Sequence, residues 1–446
     1  MNHTDRYGLD SSSPSAEAVA AFEDAVFAVG AHRPTAAAAL GRAIEHDPDH
    51  VAAFALKGFA CLILARKELL PDAAVALENA RGALRRRNGG TRDERILVEA
   101  LAVALSGHFC RAADLLDIAF VDRPTVFLPF KIAHSLRFMI GDSTEMLTAS
   151  RAMLQAWSED DAAAGFLLGC HAFALEESGA YREAEAVGRR AVALQSEDAW
   201  GMHAVGHVYE MSGDTEAGIR WLEDGRADWA RCNNFSFHMA WHLALLHLER
   251  GDHDRVLRLY DEDVRPQPTD DFRDVANAVS LLWRLERCGT KAGSRWDELA
   301  AIARRRSDDT TLIFATLHNL LALVAHGDAV GAAETLTSMA ERAAGDGDQA
   351  SVAAEIGLPL ARVIADFLPD ATENRSKRPS RPALDDLQRR LPKLGGSNAQ
   401  RDVFVLALAD HAAQAGDKRS LSRIRQARKH LKAEDCLLEA VGRRSA

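Results

Sequence analysis

The sequence predicts an all-α protein built of stacked helix pairs. Three observations carry this. Glycines recur at Gly107, Gly141, Gly179, Gly213, Gly251, Gly289 and Gly327, with spacings of 34, 38, 34, 38, 38 and 38. Each follows an apolar-periodic segment, where a left-handed residue is expected to end a helix. Valine and isoleucine fall on helical rather than alternating periods, so strand signals are nearly absent. A period of about 34 residues with helix–turn–helix content is the tetratricopeptide signature: helix pairs that cannot bury their faces alone stack on their neighbours. The expected fold is a tetratricopeptide-like helical-repeat solenoid, a superhelix closed by a C-terminal helical cap.

Taken in order, residues 1–15 read as an N-terminal extension. Ser12 or Ser13 with Pro14 is a helix-opening signal before AEAVAAFEDAVFAV. Repeats are expected over 16–367, with Pro48 closing the first. Ala184 and Ala191 fill a second helix, Gly206 and Ala244 are the small residues where paired helices approach, and Tyr209 is the aromatic one turn on. The stretch 368–383 is rich in proline and charge, with Lys377, Arg378 and Arg381 making it locally basic, and reads as an exposed linker. Residues 384–446 form the cap, with GGSNAQ at 395–400 as a turn and helix start. The basic tail (Lys418, Arg419, Arg423, Arg425, Arg428, Lys429, Lys432) reads as a solvated helix face.

The chain has 446 residues, 47% hydrophobic and 27% charged, which is ordinary for a soluble protein. A formal net charge of −11 argues against a general nucleic-acid binder. Six cysteines (Cys61, Cys110, Cys170, Cys232, Cys288, Cys436) stand singly, which disfavours disulfides or a cysteine zinc site and points to a reducing compartment. The polar start MNHTDRYGLDSSSPS lacks a signal-peptide core, and no apolar run reaches the roughly 18 residues a membrane span needs. The expected location is the cytoplasm, without nucleic-acid or membrane partners.

Chemistry concentrates between Asp198 and Gly251. Two His-x-x-x-His pairs stand here, His203/His207 and His238/His242. Residues four apart share a helix face, so each pair projects as a unit. With Gly213 at position 15 of its repeat, His203, His207 and Glu210 fall at positions 5, 9 and 12. With Gly251 there, His238, Trp241 and His242 fall at positions 2, 5 and 6. First-helix positions 2, 5, 6, 9 and 12 line the concave groove of such arrays, so these groups are expected to face one groove. His318 falls at position 6 farther along. His134 and His171 point to neighbouring helices.

Neutral imidazoles are common metal ligands, and two or three with a carboxylate suit Zn²⁺, Fe²⁺ or Mn²⁺. His203, His207 and His242 are the candidate ligands, with Glu210 as a fourth ligand or an orienting partner. The same four are the candidate catalytic acid–base groups. His238, Trp241, His318, Arg401 and Asp402 are candidate binding residues. The zincin motif is absent, because Ala204 follows His203, and so is the Glu-x-x-His pairing of di-iron bundles. Trp200, Trp221, Trp229, Trp241 and Trp283 read mostly as core packing. Asp270, Asp271 and Asp274 read as a loop and cap. No phosphate-binding loop, dinucleotide fingerprint, serine elbow or catalytic-cysteine signature appears.

The run DAWGMHAVGHVYEM, then WHLALLHLERGDHDRVLRLYD, LLWRLE, EIGLPLARVIADF and GGSNAQRDVF, resembles the tetratricopeptide repeat protein 38 family over nearly the whole chain. The resemblance implies an all-helical repeat protein with a shared site. It places family histidines at His203, His207, His242 and His318 and the family Gln-Arg-Asp at 400–402; His238 is not clearly part of that pattern. It supplies no reaction.

The expected function is binding of a small molecule, or of a protein or peptide, in a histidine-lined concave groove. The alternative is a metal-dependent enzyme of hydrolase or oxygenase type using the same histidines. A chaperone-tail clamp is disfavoured, because its basic positions hold His203, His207, Ala276 and Ser280. The segment around Gly395–Phe404 is expected to discriminate the two by plugging the groove or leaving it open. A groove position also implies that His207→Ala leaves folding nearly intact.

Overall fold

The computed structural model describes residues 3–121, 123–368, 384–431, 435 and 437–438. Among these it is helical from end to end. The one sheet is a two-residue antiparallel pair, with His3 opposite Ser11 and Thr4 opposite Asp10. No described helix is long and apolar enough to cross a membrane. The linker read at 368–383 falls, beyond residue 368, outside the described residues, as do Lys432 and Cys436 of the tail. The chain divides into two compact units, Met1–Val208 with Gly225–Phe235, and Tyr209–Asp224 with Ser236–Ala446.

In the first unit consecutive helices pack on each other: Ala16–Gly30 on Ala36–His46, Val51–Ile63 on Leu70–Arg86, Arg92–Leu105 on Phe109–Val121, and Ala164–Glu177 on Tyr181–Leu194. Their starts are fixed by side chains that accept otherwise orphaned N–H groups. The first helix is capped by Ser15, whose Oγ accepts from Ala18 N at 3.1 Å, so the opening signal sits two or three residues later than Ser12 or Ser13. Thr91 and Glu94 form a reciprocal capping box. Residues 3–15 of the N-terminal extension are held by hydrogen bonds. Asp5 accepts the N–H groups of Tyr7 and Leu9 at 2.9 and 2.8 Å, while Asp10 N and Ser12 N donate to Asp93 and Glu94, each at 3.0 Å. Arg123 ties Asp10 to Asp93 at 2.6 and 2.8 Å.

In the second unit, Phe272–Arg287 packs against Ile313–His326 and against the cap helix Asn398–Gln414. Asp271 caps Phe272–Arg287 through Arg273 N at 2.9 Å. The cap helix opens with a Ser397–Gln400 capping box. Gly396 brings the backbone against Phe314, where a Cβ would lie 2.7 Å from the ring.

The seven turn glycines all have φ between +74° and +97°, the left-handed region the repeat reading required. Ala184, Ala191 and Ala244 are fully buried, as small residues at helix contacts must be.

Candidate functional site

The helix Ala199–Ser212 carries His203, His207 and Glu210, and Phe235–Glu249 carries His238, Trp241 and His242. All are inside the protein, not on an open surface. His203 is 2% exposed, His207 0%, Glu210 7%, His238 9%, His242 1% and Trp241 0%. The groove positions of the repeat register are thus occupied by buried side chains. A side chain buried as completely as His207 has packing to lose, which weighs against the premise that His207→Ala leaves folding nearly intact.

In the first unit, Nε2 of His207 lies 2.8 Å from Nε2 of His203. On its other side, Nδ1 of His207 faces Oε2 of Glu176 at 3.3 Å, and both groups are fully buried. Each of Glu176, Glu177 and His207 offers a ligand atom within 4.8 Å of the others. Aromatic rings wall the imidazoles. Phe173 stacks on His203 at 5.6 Å and meets His207 edge-on at 5.5 Å, while Trp200 and Phe235 contact His203 at 4.9 and 5.3 Å. Behind them lies a buried polar set. Lys131 Nζ is 3.7 Å from Cys170 Sγ and 4.9 Å from the Trp200 ring centre. Burial pushes the Asp198 carboxyl up to about 7, partly offset by backbone N–H groups and Lys131.

In the second unit the same motif recurs with better-defined partners. Nε2 of His242 lies 3.2 Å from Nε2 of His238. Nδ1 of His242 is 2.8 Å from Glu210 Oε2, and Nδ1 of His238 is 3.0 Å from Asn277 Oδ1. Trp241 stacks on His238 at 5.2 Å, meets His242 at 4.7 Å and donates Nε1–H to Ser280 Oγ at 3.1 Å. Arg284 lies over the Trp241 ring at 5.7 Å and donates to Ala399 O at 2.8 Å. Burial pulls its guanidinium down to about 10, with Glu210 the largest opposing charge.

The remaining sequence candidates go elsewhere. His318 lies between Phe314 and Phe404, at 4.4 and 4.8 Å, and donates Nδ1–H to Phe314 O at 2.8 Å. It makes no ring contact or hydrogen bond with His238 or His242. Arg401 holds the turn before its helix, through the Gly396 carbonyl and Asn398 Oδ1. Asp402 pairs with Arg428 and lies 3.6 Å from Arg284. Trp200, Trp229, Trp241 and Trp283 are buried, which fits core packing.

Sequence reasoning missed Glu176, Asn277 and Arg284. For Glu176 a signal existed: it stands three residues before Gly179, as Glu210 stands three before Gly213. Asn277 and Arg284 occupy no groove position of the repeat and carried no mark.

Chemically, a carboxylate or amide oxygen on Nδ1 makes that nitrogen the N–H donor. The lone pair then sits on Nε2. His238 and His242 are held in this form. Within each unit, the facing Nε2 atoms, of His203 and His207 in the first and of His238 and His242 in the second, are where a cation or a ligand proton would be met. No protein-family model matches the chain.

Proposed function

We propose that this chain is a tetratricopeptide-like helical-repeat protein of the kind resembled by the tetratricopeptide repeat protein 38 family, and that it binds a small ligand at its buried histidine pairs. One observation carries the choice of ligand class: the pairs and the carboxylates that orient them are between 0% and 9% exposed. A peptide strand or a partner's surface docks on exposed side chains, whereas a small molecule or an ion is enclosed. The helix pairs and their regularly spaced left-handed glycines support the repeat architecture.

Native mass spectrometry of the untagged chain tests the ligand class. The expected result is a mass excess over the 48.5 kDa polypeptide that is lost on denaturation and reduced in His203→Ala and His242→Ala. Absence of bound mass, together with binding to an array of random extended peptides that survives both substitutions, would overturn the reading.

The second reading, a metal-dependent enzyme of hydrolase or oxygenase type, is favoured by the carboxylates on the Nδ1 atoms of His207 and His242. That is the partner a metal-ligating histidine usually has.

A further inference from the structure

We infer that the small ligand is, or includes, a divalent first-row transition-metal ion coordinated by the Nε2 atoms of the histidine pairs. This rests on the small-ligand reading and deepens it. The argument is clearest in the second unit, where both tautomers are set by their partners. Glu210 accepts the Nδ1–H of His242 at 2.8 Å, and Asn277 Oδ1 accepts the Nδ1–H of His238 at 3.0 Å. Both lone pairs are then on Nε2, and the two Nε2 atoms face each other at 3.2 Å. Two lone pairs at that distance repel. A positive charge between them turns repulsion into attraction.

A proton or a metal ion can supply that charge. The proton would make one ring an imidazolium, a full charge in a site 1% to 9% exposed, facing the Glu210 carboxylate. Such burial is costly. In the first unit the Nε2 atoms of His203 and His207 oppose each other at 2.8 Å, with Glu176 facing His207 Nδ1 at 3.3 Å. A metal ion meets the geometry directly. With bonds of about 2.0–2.1 Å, two nitrogens 3.2 Å apart subtend about 100° at the ion, close to a tetrahedral or octahedral ligand angle. The 2.8 Å pair subtends about 85°, so it suits an octahedral edge or opens by a few tenths of an ångström.

The donor set selects the ion class. Imidazole nitrogens suit Zn²⁺, Fe²⁺ and Mn²⁺ and are poor partners for Ca²⁺ or Mg²⁺, which take oxygens. The Trp241 ring on His238 and His242, and the Phe173 and Trp200 rings on His203, keep the imidazoles in place before the ion arrives. Such prior ordering lowers the entropy lost on binding.

The test uses the full chain, expressed without a histidine tag and purified without chelator. Elemental analysis is expected to find at least one equivalent of Zn, Fe or Mn per chain in the wild type and in His318→Ala, a buried histidine outside the pairs. Affinity for added Zn²⁺ should fall at least tenfold in His238→Ala/His242→Ala. Because that variant loses buried side chains, a second measurement stays on the wild type: dipicolinate should lower its melting temperature and added Zn²⁺ should restore it. Less than a tenth of an equivalent after supply of all three ions to folded protein would overturn the inference. So would undiminished metal in the double variant. If an organic ligand is then found by native mass spectrometry and lost with the histidines, the small-ligand reading stands without the metal. If neither ligand nor metal is found, both fall.

Discussion

Glu210 Oε2 lies 2.8 Å from His242 Nδ1, and this one contact decides which nitrogen of the ring carries a lone pair. Both groups are buried, at 7% and 1% exposure. The charge of the carboxylate matters as much as its position, because an anion on Nδ1–H raises the basicity of Nε2. Glu210→Gln keeps an oxygen acceptor and removes the charge. We predict a fall in Zn²⁺ affinity of roughly 10–100-fold, the usual range for such partners, with the helical circular dichroism unchanged. Competition against a chromogenic chelator reads it, and an unaltered affinity would strip Glu210 of this role.

The Glu176–His207 contact at 3.3 Å leads to a different expectation for stability. His207→Ala removes a fully buried ring that touches Phe173, opposes His203 and faces a carboxylate with 0% exposure. The hole and the carboxylate left without its imidazole should together cost roughly 1–3 kcal/mol. Urea unfolding in excess chelator measures this free of any metal linkage. A midpoint equal to that of the wild type would mean that the His207 ring has little packing to lose, as the groove position suggested.

Gly327 tests the turn chemistry on its own. It ends the helix Ile313–His326 with φ +81°, and a Cβ there would meet nothing within 4 Å. Gly327→Ala therefore pays only for the left-handed backbone, about 1–2 kcal/mol, while Gly327→Asn, a residue that tolerates this region, should pay less. Equal stabilities for wild type and the alanine variant would mean that the turn does not hold its conformation in solution.

These three sites differ in how far the sequence exposed them. The glycines were legible because a left-handed residue after a helix leaves a mark, here at spacings of 34 or 38 residues. The histidine pairs were legible because four-residue spacing is a property of one helix. Burial was not, because position 5 or 9 of a repeat is open or covered according to what packs over it, which the repeat register does not encode. Asn277, which sets the tautomer of His238, comes from a helix 39 residues away in the chain, and no local pattern marks such a pairing. Arg401 and Asp402 are neighbours in the sequence, and nothing local says which partner each takes. Helical geometry sends neighbours to different faces, so Arg401 holds the turn before its helix while Asp402 turns to Arg428 and lies near Arg284.

His318 gives the pH prediction. Burial pulls its pKa down to about 4, against the small opposing effect of the Phe314 carbonyl and with the Arg284 charge adding to the depression. In the unfolded chain the same group titrates near 6.5. The folded state therefore holds His318 neutral, and between about pH 4 and 6.5 the unfolded state binds the extra proton. The contribution is full above pH 6.5 and is lost as pH falls towards 4, an effect of roughly 3 kcal/mol across that window. Other groups move in both directions. His50 and His171 are also drawn down to about 4, whereas Asp5 and Asp198 are pushed up to about 7 and lose stability as pH rises. A raw pH–stability curve mixes these, so the quantity to follow is the difference between wild type and His318→Leu at each pH. Leucine deletes the Nδ1–H bond to Phe314 at every pH equally. The wild type should therefore lose stability relative to the variant as pH drops from 6.5 to 4.5, measured by urea unfolding in chelator. A difference that stays flat over this range would show that His318 is hydrated or already paired with an anion in solution.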